Sequence, residues 1–202
     1  IYDDPNLRDA SKKLLLRKTQ WQIRRFKKFS EGPVIVFIEE PILSAYGSSA
    51  YVGITEKDVC EILREPLEAI KAESAISAVH VCGNSDWGVA IRSGIDILNF
   101  DAYEFGYSIA LYADDMKEFF DRGGNIAWGI VPTSEDVRGE SADSLAKRLN
   151  DSFRRLKQKG FSESLIEERS LLTPACGAGS LSADDTRRVF ELLCELRERL
   201  TS

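Results

Sequence analysis

Apolar residues recur along this chain in two rhythms. Spacings of three and four mark helices, and short continuous runs mark buried strands. Over 7–29, Leu14, Leu15, Trp21, Ile23 and Phe26 stand among Lys and Arg, which predicts an opening helix. Gly32-Pro33 then introduces Val34-Ile35-Val36-Phe37-Ile38, an unbroken apolar run of the kind found in parallel strands covered on both faces. The segment 42–53 is rich in Ser, Gly and Tyr and reads as a loop long enough to cover a site. Thr55 is suited to cap a helix over 56–72, with Asp58 as the acidic half of a capping box. A second strand starts at Ala75, carries His80 and Cys82 at its end, and stops at Gly83-Asn84. A short helix over 86–92 leads to a third strand over 95–101, which ends in Asp101. A helix over 108–120 is ended by Arg122-Gly123-Gly124. The fourth strand, 125–131, is stopped by Pro132-Thr133. A charged loop and a helix over 142–159 follow. Leu171-Leu172-Thr173 is the fifth strand, and Ser182 caps the last helix, 183–200.

One helix and then five strand–helix units predict an α/β fold with a parallel sheet and helices outside. Five units are too few to close an eight-stranded barrel. The pattern leaves an open five-stranded sheet or a partial barrel, and a partial barrel has two unpaired sheet edges. The polar residues that need explaining fall at strand C-terminal ends: Glu39, His80, Cys82, Asp101, Thr133 and Cys176. Parallel α/β folds place their sites there.

With 202 residues, a single domain over 1–202 is expected. Hydrophobic residues at 43% and charged residues at 30% make it globular rather than disordered. A net charge of −6 argues against general affinity for nucleic acid or anionic membrane. The basic run Arg24-Arg25 and Lys27-Lys28 reads as a solvated helix end favoured by the helix dipole. No apolar run is long enough to span a bilayer, and no secretory signal pattern is present, so a cytoplasmic location is expected. The chain starts at Ile1 rather than Met, which makes a piece of a longer protein the expectation.

Candidate chemistry starts at His80, the only histidine, two residues from Cys82, one of four cysteines. Residues two apart on a strand share a side. An imidazole and a thiol would therefore leave one strand end together, which suits zinc. Cys176, beside Gly177 at another strand end, supplies a third soft ligand. Cys60 and Cys194 fall at apolar positions of helical patterns and read as small core residues. Asp101 or a labile water is the candidate fourth ligand. Glu39 and Glu40 at the end of the first strand are costly unless used or paired, with a solvated loop start as the equal alternative. A zinc centre of this kind lowers the pKa of a bound thiol and holds it as the nucleophilic thiolate.

The ordered set resembles one family. Ile38-Glu39-Glu40-Pro41-Ile42-Leu43 resembles the I-D-E-P-A-L segment of cobalamin-independent methionine synthase, and His80-Val81-Cys82 resembles its H-x-C zinc pair. Ile97-Leu98-Asn99-Phe100-Asp101 resembles the strand ending in its zinc-binding glutamate, and Thr173-Pro174-Ala175-Cys176-Gly177 resembles its N-P-D-C-G. The wider superfamily includes uroporphyrinogen decarboxylase and the methylcobamide:coenzyme M methyltransferases. The stretch from His80 to Asn84 looks especially like the latter.

The resemblance implies a (β/α)8 TIM barrel of which this chain holds the last five βα units, strands four to eight, and lacks the first three. It implies a zinc-dependent methyltransferase that moves a methyl group from a methylated folate or methylcorrinoid to a thiol, with homocysteine the best acceptor. Coenzyme M-type transfer, or a zinc-binding fragment or subunit inactive alone, are the alternatives. The implied metal ligands are His80, Cys82, Cys176 and Asp101, with Glu104 as the substitute for Asp101. Glu39 and Asp101 carry the implied catalytic roles, and Glu39, Glu40 and Asn84 the substrate contacts. A corrinoid protein, the missing barrel half or an oligomer partner are implied partners; nucleic acid and membrane are not. Three positions depart from the family pattern. Asp101 is shorter than the family's glutamate, and Glu39 replaces the aspartate that meets the amino group of homocysteine. Pro132-Thr133-Ser134 stands where the family has a histidine implicated in proton handling.

Overall fold

The structure is a computed structural model, and it describes residues 4–39, 43 and 55–201. The predicted loop over 42–53, apart from Leu43, and the candidate Glu40 lie outside the described residues.

Helix α1 (Pro5–Phe26) starts where the Asp4 carboxylate accepts from the amides of Asn6 and Leu7. Strand β1 is Ile35–Glu39. Helix α2 (Glu56–Ala72) has the expected capping box between Thr55 and Asp58. It buries Val59, Leu63, Leu67 and Ile70, one per turn, along a single stripe. Arg24 forks onto the Glu73 carboxylate at 2.9 and 2.6 Å, and Lys27 reaches the carbonyls of Glu73 and Ser74. A cation from α1 thus meets the negative end of α2.

Strand β2 is Ile76–Val81 and α3 is Trp87–Arg92, capped by Asp86. Strand β3 covers only Ile97–Phe100, shorter than the predicted 95–101. Asp101 leaves the strand to cap α4 (Ala102–Phe105). The predicted helix over 108–120 is divided. A 3-10 turn spans Gly106–Tyr112, and α5 spans Ala113–Asp121. The turn packs tightly at Gly106, where an added Cβ would lie 2.6 Å from Ser152 Oγ. Ser108 in the same turn accepts from the indole of Trp87 and donates to the carbonyl of Phe105.

Strand β4 is Asn125–Val131, preceded by Gly123 in the left-handed region (φ 90°) where the chain leaves α5. The predicted charged loop contains a 3-10 turn, Glu135–Gly139. Helix α6 is Ala142–Gln158. The six-residue α7, Glu163–Glu168, was not expected; it buries one apolar side chain, Ile166, too few for a periodicity. Strand β5 is Ser170–Pro174, and α8 is Ala183–Thr201. Asp185 N donates to Ser182 Oγ at 3.1 Å, as the cap assignment requires.

The strands form one all-parallel sheet in the order β1-β2-β3-β4-β5. Neighbours in sequence are neighbours in space, so each crossover adds a strand on the same side of the last. Right-handed crossovers then bring the described helices between the strands to the same face. The two clusters that contain the sheet's fully buried residues agree with this. The large core joins Val79, Val81, Leu98, Phe100, Ile126, Trp128 and Ile130 to side chains of the helices. Its centre is a chain of rings, with Trp87–Phe100 at 4.8 Å, Phe100–Trp128 at 5.7 Å and Trp128–Phe153 at 5.4 Å. The alternate positions Ala78, Ile97 and Ala127 cluster on the other face with Ile76, and among the described residues no helix residue joins them. On that open face Ile35, Phe37 and Leu171, in the two edge strands, stay exposed. A face with period-two small and apolar residues and a polar C-terminal rim positions the candidate site.

Candidate metal centre

The site occupies the C-terminal rim of the open face. Register puts Glu39 of β1 beside His80 of β2, and His80 beside Asn99 of β3. Gly129 of β4 pairs with Thr173 of β5. Cys82 follows β2 directly. Cys176 follows β5 by two residues, and Ala175 N donates to Val131 O at 2.8 Å, which carries the β4–β5 pairing one step past the strand. A cavity of about 190 Å³ is lined by Phe37, Glu39, His80, Asn99, Thr173, Pro174, Cys176 and Gly177.

Candidate ligand atoms of His80, Cys82 and Cys176 all lie within 4.8 Å of one another. The two Sγ atoms are 3.4 Å apart and both cysteines are free thiols. Tetrahedral zinc with bonds of about 2.3 Å to sulfur needs its two sulfurs about 3.8 Å apart. A few tenths of an ångström of side-chain motion meets that requirement. The three residues form a group able to hold a metal ion.

His80 is buried, at 6% exposure, and its two ring nitrogens differ. Nδ1 lies 2.6 Å from Asn99 Oδ1. Nε2 is buried with no hydrogen-bond partner. A buried polar atom without a partner is rare enough to need a reason, and a bound metal ion would be one.

Burial is the first cause that pushes the Cys82 thiol up to about 11, followed by the hydrogen bond and charge of Cys176, with Glu39 adding to it. Reactive cysteines instead sit among cations that lower their pKa. Without a metal, the Cys82 thiol is held protonated near neutrality.

The other sequence-derived candidates are placed as follows. Glu39 is exposed, in register with His80, and lines the cavity. Asp101 lies outside the three-residue group; its Oδ1 accepts from Glu104 N at 3.0 Å as the N-cap of α4. Burial raises the Asp101 carboxyl above its usual range, and the Glu104 amide partly opposes that. Glu104 is exposed, as is Asn84, and neither lines the cavity. The roles of Asn99 and Thr173 were missed. Asn99 Nδ2 donates to Ala127 O at 2.8 Å and to Thr173 Oγ1 at 2.9 Å. Period-two counting back from Asp101 does put Asn99 on the site's side of the sheet. Its partner His80, however, is set by the parallel register, which no local pattern reveals.

No helix among the described residues is long and apolar enough to cross a membrane. No family model matches the chain, and no curated protein matches it. Among solved structures, the crystal structure of an uncharacterized protein aligns with 90% of this chain and 44% of its own length, at 15% identity and a TM-score of 0.33. The chain spans less than half of that protein, and a likeness this slight shows neither a family nor an activity.

Proposed function

We propose that His80, Cys82 and Cys176 hold zinc and that the site methylates a thiol. The observation that carries the reading is the convergence of one nitrogen and two sulfur ligands on one sheet rim, the two sulfurs 94 residues apart in sequence. The donor set is soft, which favours zinc over magnesium or calcium. Three protein ligands leave a fourth position for substrate, as catalytic rather than structural zinc sites do. Zinc bound there would hold an incoming thiol as thiolate at neutral pH.

The chain's own residues would do the rest. His80, Cys82 and Cys176 bind, and the exposed Glu39 carboxylate meets an ammonium group on the acceptor. The cavity walls at Phe37 and Thr173 align sulfur with the methyl carbon. The sulfur lone pair forms the new S–C bond as the old methyl bond breaks. Its electrons leave with the donor, a folate nitrogen that takes up a proton or a corrinoid cobalt. Homocysteine is the proposed acceptor. In fold terms the proposal reads the five sequential strands as the last five units of an eight-stranded barrel. The sequential parallel order, and the open face on which no helix packs among the described residues, support that.

A second reading has its own support. Both sheet edges are unpaired among the described strands, and Ile35, Phe37 and Leu171 are exposed on the open face. A chain in this state would bind zinc yet turn nothing over alone. Metal analysis together with a methylation assay separates the readings. The assay offers homocysteine or coenzyme M with methyl-folate or methylcobalamin. One equivalent of zinc and a methylated thiol are expected. Zinc without product supports the second reading, and no zinc overturns both.

A further inference from the structure

We propose that Asn99 is a positioning residue that fixes which nitrogen of His80 is left bare to bind a metal, and that a backbone carbonyl of β4 sets its orientation. The inference rests on the metal-centre reading above and extends it to a residue that binds no metal itself.

A carboxamide can point either way, so its partners must decide. Ala127 O, 2.8 Å away, is a backbone carbonyl and can only accept. The amide nitrogen must therefore face it. Thr173 Oγ1 lies 2.9 Å from the same nitrogen and takes the second hydrogen. Both donors of Asn99 are thereby used. Its Oδ1, an acceptor only, is left 2.6 Å from Nδ1 of His80. Nδ1 must then carry the hydrogen. In the neutral ring the lone pair falls on Nε2, the buried nitrogen without a partner. Orientation passes from a β4 carbonyl to an amide, from the amide to a tautomer, and from the tautomer to a ligand atom.

The same side chain joins four strands: His80 on β2, Asn99 on β3, Ala127 on β4 and Thr173 on β5. Thr173 stands three residues before Cys176, so the network also ties the segment bearing Cys176 to the strand that bears His80 and leads into Cys82. Aspartate would not substitute. It keeps the acceptor for His80 but turns an oxygen toward Ala127 O, and both amide donors are lost.

The chain's single histidine makes the test direct. Nitrogen NMR of the metal-free wild type, at a pH where the ring is neutral, is expected to show Nδ1 protonated and Nε2 bare. Zinc is expected to shift Nε2. Asn99→Leu is expected to give mixed tautomers and to weaken zinc binding about 10- to 100-fold, measured by competition with a coloured chelator. Thr173→Val should weaken it in the same direction by less. A neutral wild-type ring protonated at Nε2 overturns the inference. So does an Asn99→Leu protein that loses stability but keeps the tautomer and the zinc affinity. If Asn99→Leu fails to fold, the wild-type spectrum and Thr173→Val decide. If the wild type binds no zinc, the metal reading fails while the tautomer measurement still judges Asn99.

Discussion

Replacing Gly129 by alanine adds one methyl group where three backbones meet. A Cβ there would lie 2.5 Å from Phe100 O, 2.9 Å from the Cα of Ala175 and 3.1 Å from Pro174 O. An ordinary C···O contact is about 3.3–3.6 Å. Strands β3, β4 and β5 would have to part by roughly 1 Å, and no side-chain rotation relieves backbone atoms. Overpacking of this kind costs about 1–3 kcal/mol. For a chain of this size that lowers the thermal midpoint by about 2–12 °C. The displaced atoms include Ala175, the residue before Cys176, so zinc affinity should fall as well. Gly139→Ala is the control, because nothing lies within 4 Å of an added Cβ there and the residue does not line the cavity. Thermal melts and zinc competition on both variants provide the assay. An unchanged midpoint and affinity for Gly129→Ala would refute the close approach and its link to the metal centre.

Three further outcomes follow from the geometry. Zinc binding must expel the proton of the Cys82 thiol, which is pushed up to about 11, so affinity should rise with pH across the neutral range, with proton release measurable by titration calorimetry. With the two thiols 3.4 Å apart, mild peroxide should join Cys82 to Cys176 in the metal-free chain, and bound zinc should protect them. Mass analysis would detect the loss of two hydrogens, and equal oxidation with and without zinc would contradict the shared site. Hydrogen bonds from Arg138 and Ser182 hold the Asp185 carboxyl at about 2. Its folded pKa is depressed, so the stability it contributes is present above about pH 3.9, the unfolded value, and is lost as pH falls toward 2. Arg138→Gln should therefore lower stability at neutral pH and flatten that acid limb in denaturant melts.

How much of this was legible in the sequence depends on the range of each interaction. The five strands and the principal helices follow from local signals: apolar runs, the Thr55–Asp58 box, the Ser182 cap. Their ends were less secure, because Asp101 serves as the cap of α4 rather than as a strand residue. At the break between α4 and α5, Gly106 packs against Ser152 on α6, a contact 46 positions distant that no periodicity reports. The site shows the same division. His80 lies on β2 and Cys82 follows that strand directly, so the pair was readable from spacing of two. Cys176 joined them by inference and now lies within reach. Asn99 was visible as a residue but not as a partner, since its role exists only once β2, β3, β4 and β5 are in register. The candidate fourth ligand, Asp101, keeps its carboxylate on the amide of Glu104, outside the group of three.

The most direct measurement is the metal content of the purified chain beside Cys82→Ser and Cys176→Ser, after exhaustive dialysis against trace zinc. One equivalent in the wild type, and loss in each variant that still melts cooperatively, is the expected result. A folded Cys82→Ser or Cys176→Ser protein that keeps its full equivalent would remove that sulfur from the site and contradict the account.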